Sequence, residues 1–313
     1  MRGVIGGRRG SPRVRQAFAP VVVRMRLVAT AAIGAMLVTC AVVAAPAPQP
    51  KLEQVISRLG TYLADYEHRF SLVVAEERYQ QSVEGSKDTP TGNAPPGTPV
   101  LSRQDRLLRS DYALTRASDK EAWVGYRDTF EVDGQAVRDR DDRLQRTLID
   151  GIAVRAVAIA EESSRFNLGS ALLARNVNVP TLALEMLHPR NQRRFSFSKA
   201  GEETIAATLT WRVDFKERDR PTFIRNTGGR DRPSRGSIWL DPSTGEVWRT
   251  LLAWDSLPSG MITVTYGAVP NIDVLVPLTM TERYRAGNAT ITGDAAYSNY
   301  RRFQTGARLV THP

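Results

Sequence analysis

Thiol chemistry is all but missing from this chain, whose single cysteine, Cys40, lies near the N-terminus inside an apolar run. Once that segment is removed, nothing remains to form a disulfide, a thiolate zinc site or a cysteine nucleophile. Histidine is nearly as scarce. His68, His188 and His312 are the whole supply, too few for a convergent metal set, so no metal and no cofactor are expected. The chain also lacks a glycine-rich phosphate loop and a glycine-flanked nucleophile elbow. Acid is absent from the first fifty residues, which carry seven arginines (Arg2, Arg8, Arg9, Arg13, Arg15, Arg24, Arg26), and setting those aside lowers the net charge from +10 to +3. A balance so near neutral excludes the strongly basic footprint of a nucleic-acid binder. Lysine is confined to Lys51, Lys87, Lys120, Lys199 and Lys216, so the cations are overwhelmingly guanidinium groups, which suit carboxylate and phosphate geometry.

What is present begins with an export signature. The arginine-rich start leads into an apolar stretch from Leu27 to Ala45 and then into Pro46 to Pro50. A positive n-region, a short apolar h-region and small residues before the break mark a secretory signal peptide over residues 1–45. Val42 and Ala44 are the small residues of a cleavage site near Ala44 or Ala45, and Pro46 cannot continue a helix. The expected compartment is the periplasm or the exterior. Two alternatives stay open: an uncleaved anchor, since roughly 19 apolar residues approach a membrane span, and a lipid on Cys40, since Leu37 to Cys40 approximates a lipobox. Met25, directly before Arg26, is an alternative start.

Residues 46–313 are expected to form one domain of α+β class. Leu52, Val55, Ile56, Leu59, Leu63, Tyr66 and Phe70 recur at three- and four-residue spacing, one face of an opening helix. Val73 to Ser82 either extends that helix or switches to a strand, and the strand is the preferred reading. Glu84 to Pro99, with four prolines and three glycines, reads as a flexible surface loop. Leu107 to Arg116 and Ala122 to Val132 pair as strands, and Asp133-Gly134 turns the chain toward Gln135 to Val137. Asp141 to Ile149 and Ile152 to Phe166 have helical character, and Pro180 opens a short helix that stops at His188-Pro189.

From residue 194 onward the pattern is all β. Phe195 and Phe197 alternate, as do Leu209, Trp211, Val213 and Phe215, giving each strand one apolar face. Pro242 to Gly245 is a turn between Ser237 to Asp241 and Glu246 to Leu251. If Asp241 pairs Glu246, Trp239 faces Trp248 on one side while Ile238, Leu240, Val247 and Leu251 take the other. Ile262 to Tyr266, Leu278 to Tyr284 and Ile291 to Phe303 supply three further strands of a meander.

The hairpin Gly236 to Arg249 (GSIWLDPSTGEVWR), the strand Ile262 to Tyr266 (ITVTY) and Val276 to Tyr284 (VPLTMTERY) resemble corresponding parts of bacterial periplasmic lipoprotein carriers over roughly Arg194 to Phe303. The resemblance implies a curved antiparallel sheet, half-barrel-like, with an N-terminal helix and a helical insertion packed on it. It also implies an apolar cavity between sheet and helices able to hold acyl chains. The segment Asp133 to Pro189 is larger than in the carriers, and no functional residue of the family has a counterpart here. The cavity candidates are Trp123, Trp211, Phe215, Trp239, Trp248, Tyr266 and Tyr284, large apolar side chains that either line such a space or serve as ordinary core and outer-face residues.

Three chemical arrangements carry less. Glu185 and His188 can share a helix face as metal ligands, but no second pair joins them. Ser196 and Lys199 have the spacing of a lysine-activated serine, but their odd separation in a strand sends them to opposite faces. The carboxylates Asp128, Glu131, Asp133, Asp139, Asp141, Asp142, Glu161 and Glu162 are interleaved with Arg127, Arg138, Arg140 and Arg143, the pattern of exposed ion pairs. Arg225, Arg230, Arg232 and Arg235 around Gly228-Gly229 read as a solvated loop. The sequence therefore points to an exported, non-catalytic binder of an apolar ligand or lipidated protein. The membrane is touched only by the export segment, and the oligomeric state is open. A protein-interaction scaffold is the alternative, and a hydrolase the third.

Overall fold

The computed structural model describes residues 49–70, 73–87, 100–116, 123–138, 161–169, 177–226 and 228–302. The export segment lies outside them, and the unit that holds the fold runs Pro48–Pro313. No helix among the described residues is long and apolar enough to cross a membrane.

Helix α1 (Leu52–Phe70) opens the fold, and its periodicity decides its orientation: Val55, Leu59, Leu63, Tyr66 and Phe70 are buried on one face. Strands β1 (Val73–Lys87), β2 (Val100–Arg116), β3 (Trp123–Val132) and the two-residue β4 (Gln135–Ala136) follow. A short helix α2 (Leu182–Met186) then precedes β5 (Phe195–Ile205), β6 (Thr208–Glu217), β7 (Arg235–Leu240), β8 (Val247–Trp254), β9 (Ser259–Val269), β10 (Ile272–Ala286) and β11 (Ala289–Arg302). All eleven form one antiparallel sheet in the order β4-β3-β2-β1-β11-β10-β9-β8-β7-β6-β5. The sheet is curved and open, because β4 and β5 end it without pairing to each other. The first and last strands meet in its middle, where β1 runs antiparallel to β11 from Val73↔Arg302 to Glu84↔Thr290.

The expected α+β class and curved sheet are what the structure has. Asp133 and Gly134, at φ 50° and 79°, make the left-handed turn that Asp-Gly favours. Strand β1 continues through Lys87, four residues into the stretch read as loop, because Glu84 to Lys87 pair with Arg103 to Val100 of β2. The rest of that stretch, 88–99, lies outside the described residues. So do 139–160, which hold most of the two predicted helices, although 161–164 are helical.

One register expectation is corrected. The Asp241 amide does donate to the Glu246 carbonyl at 2.9 Å, yet Trp239 pairs with Arg249 and Leu240 with Val247. Trp248 is the extra residue of a β-bulge, so Trp239 and Trp248 do not face each other.

The core fills one face of the sheet. Val213, Ile238, Leu240, Val247, Ile262, Val264, Val276, Met280, Tyr284 and Ile291 point toward the helices and join the buried side of α1 together with Leu184, Met186 and Leu187 of the α2 region. Gly245, at φ +84°, lies under α1 so closely that a Cβ there would stand 2.5 Å from the Arg58 carbonyl group. Arg58 Nη1 donates to Pro242 O at 2.6 Å, and this contact ties the middle of α1 to the β7–β8 turn.

Candidate functional site

The seam between the sheet and the two helices is where the expected ligand space would lie. Among the described residues it holds a void of about 20 Å³, lined by Leu63, Tyr66, Leu114 and Leu184 with Thr181, Glu67, Glu185 and His188 around it. The rings of Tyr66 and Phe70 stack at 5.3 Å, and Tyr62 leans on Tyr66 at 5.8 Å. The Tyr62 and Tyr66 hydroxyls are buried with no hydrogen-bond partner among the described residues. Burial pushes both phenols above their ordinary range, and each unpaired hydroxyl weakens the seam by about 1–3 kcal/mol.

A polar latch closes one side of this seam. Arg190 donates to Glu67 of α1 at 2.7 Å and to Glu185 of α2 at 2.6 Å, while His188 Nε2 stands 3.5 Å from Glu67. Burial raises Glu185 to about 7, and the Glu67 carboxylate pushes it the same way against the pull of Arg190. Glu67 is opposed by burial too, but Arg190 outweighs it and holds Glu67 below the usual carboxylate range. Burial also lowers His188, so the latch holds two carboxylates, one fixed cation and one imidazole disposed to be neutral. The spacing of Glu185 and His188 was visible in the sequence. Glu67, more than a hundred residues earlier, completes the group only in the fold.

A second polar cluster sits deeper, at the β1–β3 end of the sheet. Arg127 and Glu77 are both 0% exposed and share a two-pronged contact, with Arg127 Nη2 2.8 Å from Glu77 Oε1. Arg127 also donates to the Ser163 carbonyl at 3.3 Å and the Asn178 carbonyl at 3.0 Å. Tyr297 donates to Glu77 at 2.8 Å, and the guanidinium lies 4.9 Å over the Tyr79 ring. Burial works against the cation, yet Glu77 more than offsets it and holds Arg127 charged. The expectation that Arg127 joins exposed ion pairs is therefore wrong. Its strand position turns it inward, where Glu77 supplies the counter-charge that burial demands. Asp128 is likewise buried. A closed ion pair of this kind anchors the excursion between β4 and β5 and offers no reacting group to a substrate.

The seven cavity candidates divide by face. Trp211, Phe215, Tyr266 and Tyr284 lie in the buried helix-side core, with the Tyr266 hydroxyl donating to Pro180 O at 2.7 Å. Trp239 is on the other face, where Arg249 and Arg212 lie 5.1 and 5.7 Å from its ring and Glu203 accepts its Nε1–H at 2.7 Å. Trp248 stands at the bulge, half-buried against the core. Trp123 begins β3, and its side chain lies outside the described residues. Ser196 and Lys199 do not meet: Ser196 donates to Lys216 O at 3.4 Å, while Lys199 bonds Glu202 at 2.6 Å and covers the Trp211 ring at 3.6 Å. Among the described residues no three His, Cys, Asp or Glu side chains converge as a metal site.

No family model matches the chain, and no curated protein matches its sequence. Solved structures do. A protein described as an outer membrane lipoprotein-sorting domain, from Vibrio parahaemolyticus, is similar at 11% identity and TM-score 0.35, over 79% of this chain and 93% of its own. A LolA superfamily protein from Nitrosomonas europaea is similar at 10% identity and TM-score 0.29, over 83% and 97%. LprF from Mycobacterium bovis is similar at 12% identity and TM-score 0.23, over 81% and 95%. At these identities and TM-scores the likenesses do not carry a ligand or a residue role from those proteins to this chain.

Proposed function

We propose that this is a non-catalytic binder of an apolar ligand, a lipid or the lipid-modified part of a protein, that acts after export in the cell envelope. The ligand would enter the seam between the sheet and α1/α2 by displacing part of the helix layer. The observation that carries this reading is the seam itself: apolar on both sides, with a small void, two unpartnered hydroxyls and a titratable latch at its edge. Magnitudes permit the exchange. An acyl chain gains about 0.8 kcal/mol per buried CH₂, so a long chain offers on the order of 10 kcal/mol. The five side chains that α1 buries, at about 1.5–3 kcal/mol each, hold the helix down by a similar amount.

The test is native mass spectrometry of protein purified from an exporting host's envelope, before and after organic extraction, with hydrogen exchange on the same samples. A lipid-mass adduct that extraction removes, accompanied by faster exchange in residues 52–70 when the ligand is present, is the expected result. A bare mass with no uptake of added envelope lipids would sink the proposal. A scaffold role has one observation in its favour, the eleven-residue edge strand β5, whose free backbone groups could receive an added strand. The bulge between Lys199 and Gly201 and the charges of Lys199, Glu202 and Glu203 blunt that edge.

A further inference from the structure

The sheet face turned away from the helices carries a groove of about 550 Å³ across β6 to β10. Register lines up its side chains. Lys216 pairs with Arg235, Arg235 with Ala253, Ala253 with Met261, and Met261 with Arg283. Directly opposed residues project from the same face, so these five form one row. With strands about 4.8 Å apart, the row is roughly 19 Å long. Arg285 lies two residues beyond Arg283 on the same face, opposite Ser259.

The charge in this groove is lopsided. Its cations are Arg212, Lys216, Arg235, Arg283 and Arg285, and its acids are Asp214 and Asp255. Both acids are already engaged: Asp255 by Arg235 at 2.8 Å, and Asp214 by Arg212 at 3.1 Å and the Ser237 hydroxyl at 2.6 Å. Lys216, Arg283 and Arg285 form no ion pair among the described residues. Between the cations the row carries Ala253 and Met261, the latter 44% exposed, and Leu257, 64% exposed, stands in the turn at the same end of β9. Cations flanking projecting apolar side chains combine the two terms of interfacial binding, attraction to anionic headgroups and burial of side chains among acyl chains.

We propose that this face docks on a bilayer surface through the phosphate groups of anionic lipids, with Lys216, Arg283 and Arg285 taking the phosphates and Met261 and Leu257 entering the headgroup boundary. The site is separate from the seam, does not depend on what the seam holds, and adds a membrane contact beyond the export segment. Three unpaired cations near an anionic surface, at about one kcal/mol each, correspond to about a hundredfold in partitioning.

The experiment is co-sedimentation of the full chain with vesicles of phosphatidylcholine alone or mixed with phosphatidylglycerol. Lys216→Gln/Arg283→Gln/Arg285→Gln is compared with Lys51→Gln/Arg138→Gln/Arg193→Gln, which removes equal charge from other exposed positions. Both variants keep the export segment, so their difference reports the outer face. The expected result is about a hundredfold weaker binding to the anionic vesicles for the first variant only, with wild-type binding falling as salt screens it. A further loss in Met261→Ser/Leu257→Ser that salt does not reproduce would support the apolar part. Equal binding by the two triple variants would overturn the proposal. So would displacement from vesicles by inorganic phosphate or by polyglutamate at concentrations that leave the ionic strength unchanged, since the groove would then hold a soluble anion or an acidic chain.

Discussion

Replacing Arg127 by methionine tests the claim that a buried charge pair fastens the β4–β5 excursion to the sheet. The guanidinium and the Glu77 carboxylate are both fully buried. Arg127→Met would leave Glu77 with only the Tyr297 hydroxyl among the contacts described above, and would take a donor from the Ser163 and Asn178 carbonyls. Breaking a buried pair from one side costs about 3–5 kcal/mol. With a urea m-value of about 3 kcal/mol per molar, the unfolding midpoint should fall by roughly 1–1.7 M. Hydrogen exchange should localise the effect to Leu168, whose amide donates to Gln81 at 2.8 Å beside this cluster. The double variant Glu77→Leu/Arg127→Met removes the stranded charge and should be more stable than Arg127→Met, because the Tyr297 hydroxyl and the two carbonyls it leaves unpaired are neutral groups, cheaper to bury than an uncompensated carboxylate. A single-variant loss below about 1 kcal/mol, within the range of an exposed pair, would refute the reasoning. So would strict additivity of the two substitutions.

The latch makes stability depend on pH. Glu185, raised to about 7 from 4.5, binds its proton more tightly in the fold, so its share of stability is present below pH 4.5 and is lost as pH rises toward 7. Glu67, lowered, acts in the opposite sense below its unfolded value, and lowered His188 adds stability as pH rises toward 6.5. Urea midpoints of wild type and Glu185→Gln measured across pH 5 to 7 should show a downward contribution present in the first and missing in the second, and identical slopes would refute the assignment. Gly245→Ala should lower stability by about 2–5 kcal/mol, combining about 1–2 for a left-handed alanine with about 1–3 for the forced contact against Arg58. Thermal unfolding measures that loss, and a shift within error of wild type would show that α1 does not rest on the turn as described.

The sequence made legible what local periodicity controls. α1 was visible because its apolar residues repeat at helical spacing, and the meander because its strands alternate every second residue. Asp133-Gly134 was visible because a left-handed pair needs those residues. What stayed hidden depends on partners distant in the chain. Arg127 looks solvent-facing among its acidic neighbours, and only β1 shows that Glu77 meets it inside. Glu185 and His188 looked like a lone pair until Glu67 arrived from α1. The outer groove belongs to the same class, since Lys216 and Arg283 become parts of one row only through four successive registers.

The misplaced tryptophans show how one residue changes a functional reading. Trp239 and Trp248 are cavity candidates as large apolar side chains in strands, and a simple hairpin would set them on one face, opposite Ile238, Leu240, Val247 and Leu251. The bulge at Trp248 breaks that parity: Trp239 keeps the outer face between Arg212 and Arg249, while Trp248 packs against the core and Leu251, expected inside, turns to the outer groove. A period of two assigns faces only while register is unbroken, so every side assigned beyond a turn inherits the risk of a single extra residue. The consequence is chemical. An aromatic side chain stacked under two guanidinium groups and bonded to Glu203 is tied into the charged surface next to the anionic-lipid groove, whereas Trp211, Phe215, Tyr266 and Tyr284 remain with the seam. Under the two proposals the faces therefore have different partners to seek: an apolar chain beneath the helices, and a charged surface opposite them.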